Sequence, residues 1–263
     1  MSRAVIVGYL RSPFTLAHKG QLAGTRPDDL AAAVIKALIT KTGVKGEDVE
    51  DVILGCAFPE GEQGFNMARM VGLLAGLPIT TGGLTVNRWC GSSMEAIHIA
   101  AGNIASGKGE LFVAAGVESM SRIPMGGFNP LPNPALYKTM PEAYIGMGLT
   151  AENVAKKFHI ERKAQEDFAL ASHRKAAAAN FADEITPITT KAGVVDTDGT
   201  IRANSTPEDL AKLNPAFDVY GTVTAGTSSP LTDGAAAVIV ASEDYAKKHK
   251  LPILAVIKAM AIT

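Results

Sequence analysis

The sequence predicts an α/β fold: a mostly parallel mixed sheet flanked by helices, with a helical loop-domain insertion. Three observations predict it. Short, continuously apolar runs alternate with amphipathic helical spacing through residues 1–118, the pattern of strands buried on both faces with helices packed on each side. Prolines and glycines then crowd the chain: Pro124, Gly126, Gly127, Pro130, Pro132, Pro134 and Pro141 exclude long regular elements there. The apolar strand pattern returns only at Ala235-Ala236-Ala237-Val238-Ile239-Val240. The core is therefore assigned to residues 1–118 and 221–263, and the insertion to 119–220.

Taken in order, Ala4-Val5-Ile6-Val7-Gly8 reads as the first buried strand. A helix follows from about Asp28 to Lys41, with Leu30, Val34, Ala37 and Leu38 inside and Gly43 stopping it. Val52-Ile53-Leu54-Gly55-Cys56 is the next strand. The helix from Asn66 to Ala75 carries a stripe of Met67, Met70, Val71 and Leu74, which reads as core packing with a dimer contact as the functional alternative. Gly83-Leu84-Thr85-Val86 is a short strand, and Met94, Ile97, Ala101 and Ile104 mark one face of a helix. Leu111-Phe112-Val113-Ala114-Ala115-Gly116 is the following strand. In the insertion, Thr150 is expected to cap a helix reaching Phe158. An alanine-rich helix spans Arg162 to Phe181, and Thr206-Pro207-Glu208-Asp209 opens a short third helix. Asp196-Thr197-Asp198-Gly199 is a tight turn rather than a calcium loop, because the later bidentate acid is lacking. Leu254-Ala255-Val256-Ile257 is the last strand.

The chemistry concentrates at Val86-Asn87-Arg88-Trp89-Cys90-Gly91-Ser92-Ser93-Met94. Cys90 falls where a strand turns into a helix. Unpaired N–H groups and the partial positive charge of a helix N-terminus favour a thiolate there, by about 0.3–1 kcal/mol. Gly91 permits close backbone approach, and Ser92 and Ser93 carry hydroxyls suited to capping. A nucleophile of this kind also needs a base. His98 sits eight residues on, roughly 12 Å along the helix axis, and cannot reach Cys90.

At these residues the chain resembles the thiolase family, acyl-CoA acyltransferases that cleave or form 3-ketoacyl-CoA. Asn87-Arg88-Trp89-Cys90-Gly91-Ser92-Ser93 is similar to the family's acylated-cysteine motif. Gly116-Val117-Glu118-Ser119-Met120-Ser121, Gly148-Leu149-Thr150-Ala151-Glu152-Asn153 and Gly221-Thr222-Val223-Thr224-Ala225-Gly226-Thr227-Ser228-Ser229 are similar to three further signatures, followed by Asp233-Gly234-Ala235-Ala236. Cys90-Gly91-Ser92-Ser93-Met94 and Thr227-Ser228-Ser229 look most like the thiolases of fatty-acid β-oxidation. Family members are longer and carry a Gly-His-Pro histidine and a second, proton-shuttling cysteine in their C-terminal domain. Neither motif occurs here, so the resemblance is to the N-terminal part, and this chain alone is expected to be inactive.

The resemblance implies roles. Cys90 is the acylated nucleophile. The insertion binds coenzyme A as a substrate, with no resident cofactor: Met147 and Phe217 pack the pantetheine or adenine, Arg202 meets a phosphate and Ser229 contacts the pantetheine. Each has a plainer reading, as core for Met147 and Phe217, a solvated side chain for Arg202 and a turn for Ser229. The biosynthetic, short-chain members usually have a histidine just before this methionine. Gly146 stands there, which favours a roomier acyl site. The implied activity is thiolysis of 3-ketoacyl-CoA through an acyl-cysteine, and the alternatives are condensation of two acetyl-CoA or a non-catalytic acyl-CoA-binding or dimerisation module. A decarboxylating ketoacyl synthase shares the fold and a cysteine, but Asn87-Arg88 and the insertion speak against it. The implied assembly is a homodimer or homotetramer, joined in some β-oxidation members by a hydratase–dehydrogenase subunit.

Composition sets outer bounds. Hydrophobic residues make up 47% of 263, enough for a sizeable core, and the net charge of −1 gives no reason to expect nucleic acid or an anionic membrane. Two cysteines, Cys56 and Cys90, suit a reducing compartment, and Cys56 reads as core. No signal peptide, bilayer-spanning stretch or C-terminal targeting signal in the final Ala-Ile-Thr is apparent, so the cytoplasm is the expected location. His18, His98, His159, His173 and His249 show no metal-ligand spacing.

Overall fold

The computed structural model describes residues 2–262; Met1 and Thr263, the two ends of the expected core, lie outside the described residues. In chain order the core elements are β1 (Ala4–Arg11), β2 (Thr15–Leu16), α1 (Pro27–Thr42), β3 (Asp51–Gly55), α2 (Met67–Leu74), β4 (Gly82–Val86), α3 (Ser92–Ala105) and β5 (Leu111–Ser119). The inserted stretch contributes α4 (Pro134–Thr139), α5 (Met147–Lys157), α6 (Arg162–Ala178), the hairpin strands β6 (Ile188–Thr190) and β7 (Gly193–Val195), and α7 (Pro207–Ala211). The chain then forms β8 (Thr232–Ser242), α8 (Glu243–Lys248) and β9 (Ala255–Val256).

Helix α1 shows how local chemistry sets the elements. Pro27 occupies the first turn, where its missing N–H costs nothing, and Asp28 and Asp29 face the positive end of the helix. Gly43 ends the helix at φ 69° and donates its N–H to the Ile39 carbonyl. A left-handed residue at that position is why a glycine is needed.

The sheet runs β4-β3-β5-β8-β1-β9, with β2 paired to β8. Strand β3 pairs parallel with both β4 and β5, whereas β8 lies antiparallel between β5 and β1, and β9 antiparallel to β1. Strands β1 to β5 therefore point one way and β8 and β9 the other, giving the mixed, mainly parallel sheet that the apolar runs predict. Alternate residues face opposite sides. Val52, Leu54, Val113 and Ala115 join α1 and α2 in one buried cluster; Ile53, Phe112, Ala114 and Val240 join Ala96, Ala100 and Ile104 of α3 in the other. On α2 the expected core stripe divides. Met67 and Val71 are buried, but Met70 and Leu74 are exposed.

Two compact units emerge, with boundaries that differ from the expected 119–220. The core unit includes the chain up to Phe128, Phe181–Gly199 and the chain from Thr232 on; Asn129–Asn180 and Thr200–Leu231 form the helical unit. Phe181–Gly199 belongs with the sheet because Ile188 and Val195 are buried in the larger apolar cluster and Arg11 ties the segment there. The Arg11 guanidinium bonds Asp198 through two nitrogens (2.8 and 2.9 Å) and Glu184 through a third (2.6 Å), and lies over the rings of Phe14 and Phe181.

Within the helical unit, polar contacts predominate. Arg162 bonds Glu166 one turn on (2.6 Å) and donates to the carbonyls of Leu210 and Leu213 at the end of α7 (3.0 and 2.7 Å). Glu152 accepts from the N–H groups of Thr222 and Val223 (2.9 and 2.7 Å). Thr206 caps α7 as its sequence pattern predicts. Thr150 does not cap α5. It lies inside the first turn and donates back to the Gly146 carbonyl (3.3 Å), because the helix begins at Met147. Helix α6 ends at Ala178, short of the expected Phe181.

Candidate active site

Cys90 is exposed, on the loop between the carboxyl end of β4 and the start of α3. Gly91 is the N-cap residue, and no side chain caps the first turn of α3. Neither serine caps α3, and Ser92 has another role. Ser92 turns its hydroxyl back into the loop, accepting from the Arg88 N–H (2.8 Å) and donating to the Trp89 carbonyl (2.5 Å). Asn87 completes the clasp: its Oδ1 accepts from the Trp89 N–H (2.9 Å) and its Nδ2 donates to the Ala57 carbonyl (2.9 Å). Between these bonds Trp89 adopts φ 47°, a left-handed conformation rare for a bulky residue.

At Gly91 a Cβ would meet the Arg88 carbonyl at 3.3 Å, and the packing is closer still beneath the loop. A Cβ on Gly55 would lie 2.4 Å from the backbone of Ser92 and Ser93, and one on Gly116 would lie 2.6 Å from Ser93 Cβ. The start of α3 thus rests directly on the ends of β3 and β5. Sequence reasoning missed these two glycines, which let the start of α3 sit against the sheet. The signal available was that Val-Ile-Leu-Gly and Val-Ala-Ala-Gly both end an apolar run in glycine.

The second cysteine differs sharply. Cys56 is 1% exposed, with Gln63 Nε2 at 3.3 Å and Glu118 Oε1 at 3.7 Å from its sulfur. Burial, and then the Glu118 charge, push its thiol up to about 12. It remains a neutral thiol at physiological pH and no nucleophile. Glu118 also accepts from the Ala57 N–H (2.7 Å) and from Gln63 Nε2 (2.7 Å).

His98 lies with its Nδ1 3.5 Å from Glu95, which also pairs with Arg88 (3.1 Å). Among the described residues, no group is hydrogen-bonded or ion-paired to the Cys90 sulfur. None of the described His, Cys, Asp and Glu residues cluster in a way that could hold a metal. Of Asp196 and Asp198, the two acids of the tight turn, Asp198 is the Arg11 partner.

In the helical unit, Met147 opens α5 and is 67% exposed. Phe217 is 47% exposed, and its ring lies against Gly148, where a Cβ would come within 2.1 Å. The fold therefore brings Phe217 beside the start of α5, next to Met147. Arg202 is exposed; its N–H donates to His173 Nδ1 (3.2 Å). Ser229 is exposed on the loop after the Thr224–Thr227 turn. Neither makes a hydrogen bond or ion pair with Met147 or Phe217 among the described residues.

Residues 4–244 match the family model described as thiolase, N-terminal domain. The chain belongs to the thiolase family. A 3-ketoacyl-CoA thiolase of Bacillus subtilis is 43% identical over 279 residues, covering 100% of this chain and 71% of that protein. One from Shewanella frigidimarina is 44% identical, covering 100% of this chain and 70% of that protein. Among solved structures, human mitochondrial 3-ketoacyl-CoA thiolase in complex with CoA superposes with a TM-score of 0.86 at 35% identity, covering 97% of this chain and 69% of that one. The thiolase resemblance and the mixed sheet flanked by helices are thus both borne out. Among the described residues, no helix is long and apolar enough to cross a membrane.

Proposed function

We propose that this chain carries the nucleophile of a 3-ketoacyl-CoA thiolase, with Cys90 as the residue acylated. The observation that carries the proposal is one exposed cysteine at the uncapped N-terminus of α3, whereas burial keeps the other cysteine, Cys56, protonated. The relatives named 3-ketoacyl-CoA thiolase and the human structure with CoA support the substrate class.

In this reading the Cys90 thiolate adds to the ketone carbon of a 3-ketoacyl-CoA. The bond between that carbon and the adjacent methylene breaks, the acyl group stays on sulfur, and the departing acetyl-CoA carbanion takes up the equivalent of the proton that the Cys90 thiol gave up. The thiol sulfur of a second coenzyme A then bonds to the carbonyl carbon of the acyl-Cys90 thioester, and the carbon–sulfur bond to Cys90 breaks. This releases the shortened acyl-CoA and returns the proton to the Cys90 side. The Cys90 N–H is available as one donor to the oxyanion. Coenzyme A enters and leaves as substrate. Met147 and Phe217 offer it apolar surface, Arg202 a phosphate contact and Ser229 a pantetheine contact. A homodimer or homotetramer, association with a hydratase–dehydrogenase subunit, and a cytoplasmic location complete the proposal. Because no base touches Cys90 in these residues, we expect single acylation without sustained turnover.

Intact-mass spectrometry after incubation with acetoacetyl-CoA, with Cys90→Ala alongside, tests this. One acetyl adduct, lost in the variant, is the expected result. An adduct retained in Cys90→Ala, or steady thiolysis by that variant, overturns it. Coenzyme A binding with no adduct would favour the non-catalytic binding module instead.

A further inference from the structure

The Cys90 loop is held by a chain of hydrogen bonds that runs to the opposite side of the sheet end. Glu118, on β5, fixes the Ala57 N–H (2.7 Å), and buried Gln63 holds Glu118 in turn (2.7 Å). The other end of the same residue, the Ala57 carbonyl, accepts from Asn87 Nδ2 (2.9 Å). Asn87 Oδ1 then takes the Trp89 N–H (2.9 Å), and Ser92 holds the Trp89 carbonyl from the other side (2.5 Å). The Trp89 ring meets Phe58, the residue after Ala57, edge-on at 5.4 Å between centroids. Trp89 is held at φ 47°, which a bulky side chain adopts only where its surroundings impose it. The next residue is Cys90.

We propose that Asn87 is a positioning residue for Cys90: its amide couples the left-handed Trp89 to the fixed Ala57 peptide and thereby sets the direction of the thiol. This rests on the reading of Cys90 as the acylated nucleophile. The reason for an asparagine is specific. One side chain must accept from an N–H two residues on and donate to a carbonyl on another strand's exit, and the carboxamide does both from one planar group. Asn87→Ala removes both bonds. Asn87→Ser keeps an acceptor near the Trp89 N–H and is too short to span to Ala57.

The test combines three readouts on the parent chain and both variants: the rate of Cys90 acylation by acetoacetyl-CoA with its concentration dependence, the rate of Cys90 alkylation by iodoacetamide followed by peptide mass, and the emission of Trp89. Trp89 is the chain's one tryptophan, so its emission reports this loop alone. For Asn87→Ala we expect acylation to slow by between about 10- and 100-fold at unchanged half-saturating thioester, as for a misaligned reacting group. Alkylation should slow by about threefold or more, and Trp89 emission should shift to the red with stronger quenching by acrylamide. Asn87→Ser should fall between the two. Acylation, alkylation and emission all within about twofold of the parent would overturn the proposal while leaving the function reading intact, and so would a lowered melting temperature with unaltered acylation. If the parent itself takes no acyl group, the function reading falls. Alkylation and emission then decide the role of Asn87 by the same criteria. If Asn87→Ala does not fold, Asn87→Ser is judged in its place.

Discussion

The core unit and the helical unit of this chain are held by different forces. In the core, Val52, Ile53, Leu54, Leu111, Phe112 and Ile239 are all at or below 1% exposure, and two apolar clusters share one sheet. In the helical unit, few hydrophobic residues are buried, among them Ala155, Leu170, Leu210 and Val223. Its segments are joined instead by Arg162 on the α7 carbonyls and by Glu152 on the Thr222–Val223 backbone. The difference teaches that one chain can fix a sheet by burial and a neighbouring excursion by charge-assisted hydrogen bonds, so the two should fail under different insults.

The largest expected effect lies in the core. Leu54→Ala should cost about 2–5 kcal/mol, read from urea denaturation, because it leaves a cavity between β3 and the helices α1 and α2. Next is the helical unit: Glu152→Ala strands two backbone donors and should cost about 1–3 kcal/mol locally. Hydrogen exchange should show the Thr222 and Val223 amides opening while β3 and β5 stay protected. Equal loss of protection in both units would break the comparison.

The smallest effect is a pH response at the Arg11 clasp. Burial works against the Asp198 carboxylate, but the Arg11 bonds and the Phe14 N–H outweigh it and hold its pKa below the ordinary value. A depressed carboxylate stabilises fully above its unfolded pKa, near about 3.9, and loses that contribution as pH falls through the lower folded value. Limited proteolysis between pH 6 and pH 3 should therefore find 181–199 protected at the upper end and cut only below about pH 4. Asp198→Asn should flatten that dependence. Cleavage that rises at pH 5 would locate the restraint elsewhere.

Much of this architecture was legible in the chain. The strands are runs such as Val52-Ile53-Leu54 that only a doubly covered sheet can bury, and the Cys90 turn follows from a strand pattern meeting a helical one. The rest was hidden for physical reasons. A buried strand looks the same in either direction, so the reversed insertion of β8 between β5 and β1 left no mark on composition. The β6–β7 hairpin is three residues on each side, too short for a period to register. Ser92 and Thr150 have the chemistry of helix caps, but where their hydroxyls point depends on where each helix starts. Arg11 captures residues 181–199 across a separation that local patterns do not encode.

The position of β8 also orders events in time. Of the described strands β1 is made first, yet both of its sheet neighbours, β8 and β9, are the last two to be made. The β3, β4 and β5 trio can assemble as it is made, while β1 waits through more than two hundred residues of synthesis for a partner. Closing the sheet is then a late, long-range step, the kind that loop-closure entropy makes slow and that leaves an unpaired strand open to misassociation. Until β8 is made, a nascent chain carries β1 with neither of its sheet neighbours.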